Sequence, residues 1–115
     1  MGITIYHNAR CSNSRGALAL LQEAGEEPEI VDYLAHPPSR EQLRDMIARA
    51  GLSVREAMRT KEEAYAQLGL GDPSVSDDKL LDAMVAHPSL INRPFVVTPK
   101  GVRLCRPPEL VREIL

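Results

Sequence analysis

The sequence predicts an α/β domain, a mixed sheet of four strands interrupted by a helical insertion at about residues 39–88. Three observations lead there. Ile3-Thr4-Ile5-Tyr6 is a β-branched and aromatic run suited to a buried strand. Ser14 to Ala24 sets Ala17, Leu18, Leu20 and Leu21 on one apolar face and meets Gly25 as a helix stop. Residues 29–34 return to strand composition. Strand, helix and strand within about 35 residues make a right-handed βαβ unit with parallel strands.

The insertion is read from its punctuation. Ser39 and Gln42 form a capping box for a helix that ends at Gly51. Ser53 with Glu56, and Thr60 with Glu63, repeat that signature. A further helix starts near Ser76, carries Asp77 and Asp78 in its first turn, and stops before Pro88. Strand character then returns in Phe95-Val96-Val97-Thr98 and Val102-Arg103-Leu104, joined by Pro99-Lys100-Gly101 as a tight hairpin. Pro107 and Pro108 open a terminal helix carrying Leu110, Val111, Ile114 and Leu115. The order βαβ, helical insertion, ββα is the thioredoxin plan, with helices expected on both faces of the sheet. No linker or repeat breaks the chain, so residues 1–115 are expected to form a single domain.

The formal net charge is −2, which supplies no basic field for nucleic acid or an anionic membrane, and neither is expected as a partner. An anionic substrate would have to be held by local arginines. No apolar stretch has membrane-spanning length, and no basic-then-apolar leader is visible, so a cytoplasmic location is expected. Cys11 and Cys105 are too few for a disulfide framework and fit a reducing compartment.

Cys11 lies between a strand and a helix, where free backbone N–H groups and the helix dipole favour a thiolate or an oxyanion. His7, Arg10 and Arg15 surround it in sequence and could favour the charged thiol. The competing reading, a structural buried cysteine, sits poorly with the polar run His7 to Arg15. A thioredoxin-type redox pair would need C-x-x-C, but the fourth position is Ser14, and a phosphatase-like loop would need arginine where Ala17 stands. An external thiol must therefore complete any redox cycle. Cys105 is read as a packing residue.

Arg59, Arg93 and Arg106 are the candidate oxyanion ligands, because a planar guanidinium donates two parallel hydrogen bonds. Arg93 precedes Pro94 at a strand start, a position that is commonly cis in thioredoxin-like folds and faces the catalytic cysteine. Arg106 follows the hairpin, and Arg59 closes the segment opened by Ser53.

These elements carry a resemblance. The chain resembles the ArsC-type, glutaredoxin-linked arsenate reductases of the thioredoxin-like superfamily. The likeness runs through Ile3 to Asn8, Cys11, Ser14-Arg15, Tyr33-Leu34, Pro37 to Arg40, Gln67 to Leu70, Ile91 to Pro94 and Leu104 to Pro107. It departs from the common Asn-Pro-x-Cys-Gly-Thr-Ser-Arg loop by carrying Ala9, Arg10, Ser12 and Asn13. The resemblance implies that Cys11 is the nucleophile, that Arg59, Arg93 and Arg106 hold the oxyanion, and that His7, Ser14 and Arg15 favour the thiolate. It implies arsenate as substrate, glutathione as reductant and glutaredoxin as partner, with no bound cofactor or metal, in a monomer. A glutathione-linked thiol transferase acting on another substrate, and a non-enzymatic regulator of the Spx type, stand as alternatives.

Overall fold

The computed structural model describes residues 2–115. The chain falls into two compact units: the residues up to His36 with Arg93–Leu115, and Pro37–Asn92.

The first unit holds β1 (Thr4–His7), α1 (Ser12–Glu23), β2 (Glu29–Asp32), β3 (Phe95–Thr98), β4 (Gly101–Leu104) and a closing 3-10 helix, Pro108–Ile114. The strand order is β2-β1-β3-β4. β1 runs parallel to β2 with His7 opposite Asp32, and antiparallel to β3 with Ile5 opposite Val96. β3 and β4 are antiparallel with Val97 opposite Val102. This pattern has one decisive result. The ends of β1, β2 and β4 and the start of β3 all lie at the same end of the sheet.

Ile5, Ala17, Leu21, Val96, Cys105 and Val111 are fully buried in one cluster drawn from β1, α1, β3, the residue after β4 and the 3-10 helix. Each large aliphatic side chain buried this way contributes about 1.5–3 kcal/mol. α1 begins earlier than its apolar pattern implied. Cys11 itself is the N-cap, in extended conformation, and its carbonyl accepts the Arg15 N–H at 3.0 Å. Gly25, at φ +81°, ends the helix in the left-handed conformation that glycine adopts without penalty. The terminal helix is 3-10, not α. Pro107 and Pro108 offer no N–H, and Leu110 N–H reaches back three residues to the Pro107 carbonyl at 3.1 Å.

The second unit contains α2 (Arg40–Arg49), α3 (Glu63–Gln67) and α4 (Asp77–Ala86), with 3-10 turns at Arg55–Ala57 and Pro88–Leu90. The Ser39–Gln42 capping box is complete on α2. Ser53 and Glu56 exchange the same two bonds, at 2.9 and 3.2 Å, yet the turn they open is 3-10. Thr60 caps nothing. The Glu62 N–H turns back to the Arg59 carbonyl, and α3 begins only at Glu63. α2 and α4 are tied at the surface by Arg40 and Arg44, which reach Asp78 at 2.8 and 2.6 Å.

Gly16 marks the tightest approach of α1 to the closing helix. A Cβ there would lie 2.9 Å from Cγ of the rigid Pro108 ring. Overpacking costs about 1–3 kcal/mol, against about 1 kcal/mol gained from helix propensity. Gly16→Ala is expected to lower stability in urea by on the order of 1 kcal/mol, and Pro108→Ala in the same chain to restore most of it.

Candidate active site

The loop after β1 is a hydrogen-bonded turn. The Cys11 N–H donates to the Asn8 carbonyl and the Arg10 N–H to Asn8 Oδ1, each at 3.0 Å. The fully buried Ser14 hydroxyl lies 2.6 Å from His7 Nδ1 and accepts the Asn8 N–H at 3.0 Å. One side chain on the first turn of α1 thus grips both the last residue of β1 and the residue after it. The sequence reading passed over Asn8. Its signal was the side chain's habit of bonding a backbone N–H two residues on.

The hydrogen bond of the His7 ring is thus to Ser14. Burial is the main influence on this ring and lowers its pKa. Asp32 opposes this and Arg15 adds to it. A neutral ring lets the Ser14 hydroxyl donate to Nδ1 while accepting from Asn8. Arg15 donates from Nη1 to the Ala9 carbonyl at 2.8 Å, which secures the loop.

Cys11 is half-buried and reduced. Arg106 Nη1 lies 3.8 Å from its sulfur and donates to the Arg93 carbonyl at 3.0 Å. Both Arg93–Pro94 and Arg106–Pro107 are cis; Pro94 was expected to be so, and Pro107 was not. The Cys105 N–H donates to the Pro94 carbonyl at 2.8 Å, fixing the two proline segments to each other. Burial by itself raises the Cys11 pKa. The backbone N–H groups of Ser14 and Asn13, a hydrogen bond from the Arg93 side chain and the Arg106 charge outweigh it, so the thiol titrates below its ordinary range.

Cys105 contrasts with it. Its sulfur is buried in the core cluster, and burial pushes its pKa up to about 12. Arg59 belongs to the Pro37–Asn92 unit, where its Nε lies 3.3 Å from Glu62 and its N–H donates to the Leu90 carbonyl at 2.8 Å. Among the described residues no group of three or more His, Cys, Asp or Glu could hold a metal ion, and no helix is long and apolar enough to cross a membrane.

A lowered pKa means that the thiolate, and hence the alkylation rate, reaches its plateau at lower pH than for a free cysteine. Iodoacetamide at neutral pH is expected to modify Cys11 and spare Cys105. Arg106→Ala should move the midpoint of the Cys11 rate profile upward, as read by mass spectrometry across a pH series.

Comparison with known proteins agrees with this geometry. A model of the ArsC family matches residues 6–114. An arsenate reductase of Rhizobium meliloti (strain 1021) is 61% identical over 115 residues, 100% of this chain and 82% of that protein. An arsenate reductase of Escherichia coli is 53% identical over 98% of this chain and 80% of its own length. The solved structure of an arsenate reductase from Vibrio cholerae aligns with TM-score 0.95 and 50% identity, covering 100% of this chain and 98% of that one. With its β2-β1-β3-β4 sheet, its N-capping Cys11 and these likenesses, the chain belongs to the ArsC family and has its thioredoxin-like fold.

Proposed function

We propose that this chain reduces arsenate to arsenite, with Cys11 as nucleophile and Arg93 and Arg106 as ligands of the oxyanion. Arg59 is given the same task on the family resemblance alone. One observation carries the reading. A thiolate-favouring cysteine shares its surroundings with two guanidinium groups, and the second thiol of the chain is sealed in the core.

The guanidinium groups offset the charge that would otherwise keep an anionic nucleophile from an anionic substrate. The Cys11 thiolate attacks arsenic, and one arsenate oxygen takes up protons and leaves as water. The product is a covalent sulfur–arsenic(V) adduct. Glutathione attacks that arsenic through its own thiol, and a second arsenate oxygen takes up protons and leaves as water. A glutaredoxin thiol then takes the glutathione sulfur as a disulfide, and the electron pair of the broken sulfur–arsenic bond reduces arsenic to the trivalent state. Water then attacks the trivalent arsenic and displaces the Cys11 sulfur, so arsenite leaves and Cys11 returns as thiolate. In sum two external thiols become one disulfide, supplying both electrons.

Support for the external reductant comes from the spacing and the core together. Ser14 stands where a resolving cysteine would be, and its hydroxyl is committed to His7 and Asn8. The Cys105 sulfur is fully buried.

The test is an assay coupling arsenate, glutathione, glutaredoxin and its reductase. Cys11→Ser is expected to abolish turnover. Arg93→Lys and Arg106→Lys, which keep charge but lose the planar fork, should each lower kcat by about a hundredfold, the scale of losing one oxyanion donor. A folded, monodisperse protein that showed no arsenate-dependent oxidation of glutathione would overturn the reading.

A further inference from the structure

At the end of the sheet that carries Cys11, a groove of about 580 Å³ is lined by His7, Asn8, Ala9, Arg10, Asp32, Leu34 and Ala35. Its size falls within the range of about 300–1,000 Å³ typical of small-ligand sites. Both walls are hydrogen-bonded turns. On one side the Asn8 bonds shape residues 8–11, and Arg15 holds the Ala9 carbonyl. On the other, Asp32 ends β2 by accepting the Leu34 N–H on Oδ1 at 3.2 Å and the Ala35 and His36 N–H groups on its carbonyl. The groove is thus preformed, needing little ordering to receive a ligand.

Its chemistry is mixed in a particular way. Among the described residues the Arg10 guanidinium has no hydrogen-bond acceptor or ion-pair partner, and it is exposed. The exposed Asp32 carboxylate lines the same groove, and Leu34 and Ala35 add apolar surface to it. A ligand matching this lining carries a carboxylate, an ammonium group and a short apolar span. Position adds the last requirement. Arg10 directly precedes Cys11, so the wall of the groove runs straight into the loop that carries the nucleophile.

The sheet order separates this groove from the anion ligands. Arg93 and Arg106 come from the β3 and β4 side of β1, whereas Asp32, Leu34 and Ala35 come from the β2 side. A molecule in the groove can therefore approach Cys11 without displacing an anion from the arginines.

We propose that this groove is the binding site for the reducing thiol, and that its occupant is glutathione. Arg10 holds a carboxylate, Asp32 the α-ammonium group, and Leu34 the cysteinyl segment. This rests on the thiol-dependent reading above and deepens it by separating the two substrates on opposite sides of the Cys11 loop.

The experiment has two arms. In the first, S-methylglutathione, which cannot react, is titrated into the whole protein and followed by amide NMR. Saturable shifts are expected at Ala9, Arg10, Leu34 and Ala35, weakened in Arg10→Glu and in Asp32→Asn; the latter keeps the acceptor for the Leu34 N–H while removing the charge. In the second, the same variants are assayed for turnover. The KM for glutathione should rise about tenfold, the scale of one charge-assisted hydrogen bond, and in Asp32→Asn the KM for arsenate and the pH profile of Cys11 alkylation should stay unchanged. Arsenate turnover with an unaltered glutathione KM, or shifts confined to residues outside the groove, overturns the site and leaves the reductase reading standing. Shifts in the groove of a protein that lacks arsenate turnover overturn the reductase reading and leave the site standing.

Discussion

The bond set around the Ser14 hydroxyl is the constraint on which the site depends. A buried hydroxyl left without partners costs about 1–3 kcal/mol, and here it is used twice, by His7 Nδ1 and by the Asn8 N–H. His7 ends β1 and Asn8 follows it, while Ser14 lies in the first turn of α1. The tie therefore sets the distance between sheet and helix where Cys11 caps the helix. Neutral His7 suits this duty better than a charged one, and burial keeps it neutral.

Once the loop is placed, electrostatics at the thiol follows from direction. Burial opposes a charged sulfur, but the first N–H groups of α1 point at it, and two arginines arrive from the β3 and β4 side. Arg106 is oriented by its bond to the Arg93 carbonyl, so neither arginine is placed independently. The same sheet that supplies these groups encloses Cys105 among aliphatic side chains. Two cysteines of one type are thus shifted in opposite directions by their surroundings alone.

Much of this was legible in the residues, for reasons that can be named. Apolar spacing marked α1, and the Ser39–Gln42 box marked α2, because both are local signals whose physics is complete within one turn. The spacing from Cys11 to Ser14 ruled out an internal redox pair, since that argument needs only a residue count. Thr60 misled because its capping signature says nothing of the turn that Arg59 and Glu62 close first. Ser53 and Glu56 made their box, yet residues 55–57 wound into 3-10 geometry. The bond that His7 makes to Ser14 was not legible from proximity in sequence. His7 lies near Cys11 along the chain, but the helix turns Ser14 back to meet it. The second cis bond, before Pro107, had no local signature separating it from Pro108.

The bond between Arg106 and Cys11 spans 95 positions of the chain. The thiol and the guanidinium beside it therefore meet only when distant parts of the chain have folded together. Until β3 and β4 pair with β1, the thiol has neither arginine beside it and only the N–H groups of α1 to favour its charge. Part of this thiol's acidity is thus a property the polypeptide acquires only on completing its sheet.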